Sequence, residues 1–324
     1  MNQNPRGRFA PSPSGRMHLG NAWTALLAWL DIRKLGGTMV LRMEDLDPDR
    51  SKAEFADGLL EDLHWLGLNW DEGPDRPGTF APYNQSKRFD LYQAAFEALV
   101  QKGLVYPCFC SRTQLRSVAS VVSAPHAGEF EPVYSGRCAR LSAREQQELK
   151  AGKRMPAYRL RVGTAEIAFE DLVFGRQTQP LQQSCGDFVI RRSDGVYAYQ
   201  LAVVVDDAAM EIDRILRGAD LLASTPRQIY LWQLLGFQPP EFIHVPLLMG
   251  ADGSRLSKRQ GSLAIAALRR SGVRPEQVIG QLAAWAGLIE QPELLRPAEL
   301  IDDFSLDRLP RTPVVVGDTF PLSI

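Results

Sequence analysis

What most constrains the fold of this chain is its opening, in which a short apolar strand, a Pro/Ser/Gly loop and a long apolar helix follow one another directly. Phe9 to Ser12 reads as a strand running into Pro11-Ser12-Pro13-Ser14-Gly15. From about Gly20 to Lys34, residues Trp23, Leu26, Leu27 and Leu30 mark a mostly apolar helix, stopped by Gly36-Gly37. Thr38 to Met43 is apolar and β-branched enough for a second, buried strand. Strand, loop, helix and strand in that order open a parallel, doubly wound α/β sheet. The helix N-terminus offers unpaired backbone N–H groups and a positive dipole end, a natural seat for phosphate. His18, Gly20 and Asn21 stand at that place.

The 324 residues suit two or three domains. The longest early apolar stretch, Ala22 to Leu30, falls short of the ~20 residues a membrane span needs, and Arg6 and Arg8 precede no signal-type core. Four cysteines make no disulfide framework, so a reduced, cytoplasmic setting is expected. A net charge of −1 gives no global nucleic-acid footprint. Locally, Arg137, Arg140, Arg144, Lys150, Lys153, Arg154, Arg159 and Arg161 outnumber Glu145 and Glu148; such a stretch either tracks phosphates or is a solvated helix face.

Helices are expected over Ser51 to Leu66, Gln85 to Lys102, Thr225 to Leu235, Ala264 to Arg270 and Pro275 to Leu288. Strand character returns at Asp187 to Arg191, Ala198 to Val205, Asp213 to Gly218 and Phe242 to Val245. Between them, residues 108 to about 185 read as an inserted β-rich module with a small helix near Ser142 to Lys150. The expected domains are a first catalytic half (1–107), the inserted module (108–186), a second catalytic half (187–250) and a C-terminal helical part (251–324).

A second loop completes the pattern. Gly250-Ala251-Asp252-Gly253 leads into Arg255-Leu256-Ser257-Lys258-Arg259. A lone loop histidine is usually satisfied by backbone, and a lone Ser-Lys-Arg is a basic turn. Paired in this order, the two segments resemble the two signatures of class I aminoacyl-tRNA synthetases, with Arg255 replacing a lysine of the second. The resemblance implies adenylate formation. When a carboxylate attacks the α-phosphate of ATP, charge builds on the phosphoryl oxygens, and donors fixed in advance stabilise it. His18, Asn21 and Lys258 are then the catalytic set, and His18, Gly20, Asn21 and Lys258 hold ATP, used with Mg²⁺.

Further blocks narrow the resemblance: Leu41 to Asp47, Trp65 to Pro74, Tyr106-Pro107-Cys108-Phe109-Cys110, Tyr199 to Asp207 and Arg217 to Pro226. Over nearly its whole length the chain is similar to the catalytic half of glutamyl-tRNA synthetases, and most of all to the shortened glutamyl-Q tRNA(Asp) synthetase family. That implies a class I Rossmann-type parallel sheet with an inserted zinc-bearing α+β module, a C-terminal helical part and no anticodon-binding domain. It also implies L-glutamate, ATP and queuosine-bearing tRNA(Asp) as substrates of a monomeric enzyme. Glutamate would be held by Arg8, Phe9, Ala10, Pro11, Ser12, Glu44, Tyr199 and Arg217. The chemistry agrees: Arg217, helped by Arg8, suits the side-chain carboxylate, Glu44 the ammonium, and the Tyr199 hydroxyl fixes orientation. Read alone, Glu44-Asp45-Leu46-Asp47 is equally a Mg²⁺-binding cluster or a solvated turn. Val203 stands where conventional glutamyl enzymes carry asparagine.

Cys108, Cys110 and Cys138 can supply three thiolates for one structural zinc, or remain three free thiols. General zinc chemistry selects His126 as the fourth ligand, whereas the resemblance points to Tyr134. Tyr134 is preferred, because Ser120 to Gly128 around His126 looks like a local insertion. His64 and His244 lack an evident chemical partner and are read as structural. Asp206-Asp207 is read as a strand end that orients Arg217 or caps the next helix.

Overall fold

A computed structural model describes residues 4–111, 114, 133–152, 155–254, 256, 263–317 and 320–321. His126, Lys153, Arg154, Arg255 and Lys258 lie outside the described residues. The first β-α-β unit has the expected order, β1 (Arg6–Phe9), α1 (Leu19–Lys34) and β2 (Thr38–Leu41), but its first strand lies three residues earlier than expected and shares only Phe9 with the expected Phe9 to Ser12. β1 and β2 pair in parallel, with Arg8 opposite Val40. Helix α1 buries residues on every side, which is why its sequence is a nearly unbroken apolar run. Its close approach to β1 needs Gly7, where a Cβ would lie 2.3 Å from Ile32. Gly36, at φ 64°, turns the chain out of the helix.

The central sheet has six strands in the order β2-β1-β8-β9-β5-β6. It includes β5 (Glu166–Asp171), β6 (Gly175–Pro180), β8 (Arg214–Gly218) and β9 (Glu241–Val245). All neighbours pair in parallel except β5 and β6, which form an antiparallel hairpin at one edge. Both faces are covered, so side chains alternate between two cores. Met39, Leu41, Leu216 and Ile243 pack into one with α1, α2 (Ala53–Trp65) and the C-terminal α7 (Ile265–Arg270) and α8 (Pro275–Trp285). Val40, Ile215 and Phe242 pack into the other with α3 (Phe89–Gln101), α5 (Tyr199–Ala209) and α6 (Thr225–Leu235). Burial on both faces selects apolar side chains at successive positions of β2, where Met39, Val40 and Leu41 are all buried.

A second sheet, β3 (Val105–Cys108), β4 (Ala157–Leu160) and β7 (Phe188–Arg191), is antiparallel, and α4 (Ala143–Ala151) accompanies it with a Ser142–Glu145 capping box. The strand at 188–191 therefore pairs with β4 rather than within the parallel sheet, and the segment around Ile167–Phe169 joins the parallel sheet through β9. A larger correction concerns Ala198 to Val205, which is helical. In α5, Leu201 through Val205 are all buried, and this unbroken, valine-rich apolar run has the same pattern as a buried strand. After Pro292, short 3₁₀ turns lead to β11 (Val314–Val315), which pairs with β10 (Leu248–Met249). Among the described residues no helix is long and apolar enough to cross a membrane.

Candidate active site

Among the described residues singled out from the sequence, Arg8 to Ser12, Glu44 and Arg217 lie at or just beyond the carboxyl ends of β1, β2 and β8. The sheet order reverses there, because the chain leaves β1 for β2 on one side and returns as β8 on the other. Open α/β sheets take their ligands at such a point. Backbone hydrogen bonds stitch the exits together: Arg42 N–H donates to Phe9 O at 3.0 Å and Glu44 N–H to Pro11 O at 2.9 Å. Ala10 is half-buried, Pro11 buried and Ser12 exposed at this edge.

At the head of α1, His18 and Asn21 cap the helix reciprocally. The Gly20 N–H donates to His18 Nδ1 and the His18 N–H to Asn21 Oδ1, both at 3.1 Å. With Nδ1 as acceptor, the neutral imidazole carries its proton on Nε2. The chain beyond the lysine loop returns to this same place, because His18 bridges Ala264 and Ile265 N–H donates to Met17 O at 2.9 Å. On the near side of that loop, Leu256 N–H donates to Leu248 O.

Beside these strand ends lies a buried network of charges. Asp207 accepts from Arg42 Nη1 at 2.6 Å and from Arg8 Nε at 3.1 Å, and Arg42 Nη2 reaches Glu44 at 3.4 Å. Burial raises the Asp207 carboxyl, but Arg42 and Arg8 outweigh it and hold the group below its ordinary value. Glu44 is pushed up to about 7 by burial, against the pull of Arg42 and Arg8. Tyr199, the first residue of α5, rises to about 12 through burial and the charge of Glu44. Asp206 accepts from Arg88 at 2.6 Å, Gln85 at 2.7 Å and Tyr92 at 2.8 Å, fixing α5 to the neighbouring segments. The Asp206-Asp207 pair thus sits on a helix and holds Arg8, Arg42 and Arg88, with no ion pair to Arg217 among the described residues.

Arg217 is 4% exposed and lies over the Phe242 ring. Its Nε donates to His244 Nε2 at 3.0 Å and its Nη2 to Thr225 Oγ1 at 2.8 Å, while its buried Nη1 has no partner among the described residues. Burial draws Arg217 below its ordinary value; Tyr199 opposes this and Arg8 adds to it. His244, read from the sequence as lacking a chemical partner, meets Arg217 through Nε2 and Asp171 through Nδ1 at 2.6 Å. Burial lowers His244 to about 4 despite the Asp171 bond, so the ring is neutral near pH 7. Asp45 is taken by Ser86 and Asn84, and Asp47 by Arg192, which leaves Glu44 as the acid of that cluster facing the arginines. Val203 is buried in the second core.

The profile of the class I tRNA synthetase (E and Q) catalytic domain matches residues 5–317. The chain belongs to this family. It is similar to the glutamyl-Q tRNA(Asp) synthetase of Symbiobacterium thermophilum, at 52% identity over 309 residues that cover 95% of this chain and 94% of the relative. The glutamyl-Q tRNA(Asp) synthetase of Nitratidesulfovibrio vulgaris is 49% identical over 310 residues, 96% of this chain and 95% of that one. Among solved structures, a glutamate tRNA ligase from Elizabethkingia meningosepticum in complex with its amino acid superposes with a TM-score of 0.81 at 27% identity, covering 96% of this chain and 67% of that protein. This synthetase is a ligase.

The synthetase also gathers its predicted thiols. Sγ atoms of Cys108, Cys110 and Cys138 lie within 4.8 Å of one another, and the Tyr134 hydroxyl is 3.5 Å from Cys108 and 3.6 Å from Cys110. Those separations suit four donors around one tetrahedral ion of about 2.3 Å Zn–S bonds. Arg159 stacks on the Tyr134 ring at 3.9 Å and donates through Nε to Cys108 at 3.3 Å. Burial raises the Cys108 thiol, but Tyr134, the Cys110 N–H and Arg159 outweigh it and bring it below the usual range. Arg159 is buried and therefore leaves the basic surface, whereas Arg137, Arg140, Arg144 and Lys150 remain exposed.

Sequence reasoning missed Arg42, Asp171, Thr225 and the role of His244. Arg42 carried a signal, being a charge inside the buried run Thr38 to Met43. Asp171 and His244 meet only through strand order and carried none.

Proposed function

We propose that this synthetase activates L-glutamate with ATP, without tRNA, and passes the glutamyl group to a hydroxyl of the queuosine base in the anticodon of tRNA(Asp). An oxygen of the α-carboxylate attacks the α-phosphate, pyrophosphate leaves, and the acyl carbon of glutamyl-adenylate then moves to the queuosine hydroxyl with release of AMP. The observation that carries this reading is a buried arginine, Arg217, whose Nη1 has no partner among the described residues, grouped with Glu44, Tyr199 and Arg8. An amino acid with two carboxylates needs that combination: Arg217 and Arg8 for its side chain, Glu44 for its ammonium and the Tyr199 hydroxyl for orientation. The backbone from Phe9 to Ser12 borders the amino acid. His18, Gly20 and Asn21 at the head of α1, together with Lys258, serve the ATP phosphates with Mg²⁺.

Zinc, held by Cys108, Cys110 and Cys138 with Tyr134, would fix the fold of its module and take no part in the chemistry. The exposed arginines of that module would meet tRNA phosphates. The substrates fit a cytoplasmic, monomeric enzyme. The names of the two glutamyl-Q relatives support queuosine-bearing tRNA(Asp) as acceptor.

The test has two stages. Glutamate-dependent ATP–pyrophosphate exchange is expected without tRNA, and its absence removes this reading. Labelled glutamate is then expected on tRNA(Asp) only when queuosine is present. Labelling the 3′ end of tRNA(Glu) instead would establish the second reading, a conventional glutamyl-tRNA synthetase, which the likeness to a glutamate tRNA ligase favours. Tight tRNA binding with neither activity would mark a non-catalytic paralogue.

A further inference from the structure

We infer that His244, backed by Asp171 and joined by Thr225, is a positioning residue that makes the amino-acid site prefer a carboxylate to a carboxamide. The inference rests on the glutamate-activating reading above and adds its source of specificity. Three adjacent parallel strands supply the row. Arg217 on β8 is in register with His244 on β9, and Asp171 at the end of β5 is in register with Phe242, two residues before His244.

Each hydrogen-bond direction in the row is forced. Arg217 Nε can only donate, so His244 Nε2 accepts at 3.0 Å. The neutral ring then carries its proton on Nδ1 and donates it to Asp171 Oδ2 at 2.6 Å. Asp171 also accepts from the backbone N–H groups of Val173 at 3.1 Å, Phe174 at 2.9 Å and His244 at 3.1 Å. Four donors saturate that carboxylate and hold it one imidazole away from the guanidinium. Thr225 Oγ1 accepts from Arg217 Nη2 at 2.8 Å.

Two consequences follow for a ligand. First, two guanidinium nitrogens are tied down, so the group is fixed in rotation and Nη1 alone is left without a partner among the described residues. Second, both acceptors are neutral, and no carboxylate forms an ion pair with Arg217 among those residues. A ligand carboxylate supplies both the missing acceptor and the missing charge, whereas a carboxamide supplies only the acceptor. A carboxylate in place of His244 would neutralise Arg217 and erase the distinction. Neutral imidazole positions the arginine and leaves its charge for the substrate.

Three variants separate positioning from packing. His244→Phe keeps a flat ring without the acceptor, Thr225→Val removes the hydroxyl at similar shape, and His244→Gln restores an oxygen within reach of Arg217 Nε. Each is checked for folding by thermal melting and assayed by ATP–pyrophosphate exchange with glutamate and with glutamine. In His244→Phe and Thr225→Val the glutamate KM should rise about tenfold to a hundredfold, and the glutamate-over-glutamine ratio of kcat/KM should fall by a similar factor. The ATP KM should stay within about threefold, and His244→Gln should recover most of the loss. Unchanged glutamate KM and ratio in folded Thr225→Val or His244→Phe would overturn the inference. So would a loss in His244→Gln as deep as in His244→Phe, because packing alone would then explain it. If His244→Phe does not fold, Thr225→Val and His244→Gln decide by the same readouts. Wild-type protein without glutamate-dependent exchange would overturn the activation reading and this inference with it; wild-type exchange with insensitive variants would overturn the inference alone.

Discussion

His18 and Ala264 face each other across an isolated antiparallel bridge, which joins the head of the first long helix to the chain that returns from the lysine loop. Two segments far apart in sequence thereby share one end of the sheet. If Lys258 serves the ATP phosphates there, Lys258→Ala should lower glutamate-dependent pyrophosphate exchange about 10²- to 10³-fold. Its unfolding midpoint should stay that of wild type if the lysine acts on the phosphates rather than on the fold. A wild-type exchange rate would remove Lys258 from the reaction.

Asp207 neutralises two buried arginines at once, Arg8 and Arg42. Asp207→Ala leaves both charges buried without their shared partner, and should cost about 3–5 kcal/mol of folding stability. Urea denaturation checks this through the midpoint at constant slope. A shift of under about 1 kcal/mol would mean that solvent or Glu44 takes over the pairing.

Glu44 titrates near 7 because burial raises it more than the arginines lower it. Its ionised form is the one that pairs with a ligand ammonium. The glutamate kcat/KM of wild type should therefore fall about tenfold per pH unit below 7 and level off above it. Glu44→Gln should lose this limb and show a raised KM throughout. The stability effect has the opposite sense. A carboxyl with a folded value above its unfolded one takes up a proton on folding, so its contribution is most favourable below about pH 4.5 and is lost as pH rises through 7. The stability of Glu44→Gln relative to wild type should accordingly be greater at pH 8 than at pH 5.

Metal content tests the thiol cluster. Wild-type protein should carry zinc in stoichiometric amount, and Cys138→Ser should lose most of it and unfold at a lower temperature. Tyr134→Phe isolates the hydroxyl that meets Cys108 and Cys110. Reduced zinc retention against a chelator in Tyr134→Phe identifies the hydroxyl as a ligand, and unchanged retention returns His126 to consideration.

The amino-acid order alone determined the β-α-β opening, the place of His18 and Asn21 at the head of the first long helix, the grouping of Cys108, Cys110 and Cys138, and the charge types around the site. These features depend on neighbours within a few residues, or on motifs whose members are themselves the reactive groups. Tertiary structure decided the rest. Tyr199–Ala209 is a helix, yet its buried apolar run from Leu201 to Val205 has the pattern of a buried strand. The strand at 188–191 has the same apolar character in either sheet, and only its pairing with β4 assigns it. Arg217, His244 and Asp171 come into line because β8, β9 and β5 are neighbours in one sheet. No local pattern encodes that adjacency, since strand order is fixed by long-range packing and hydrogen bonding, and with it the partner that turns a core histidine toward the site.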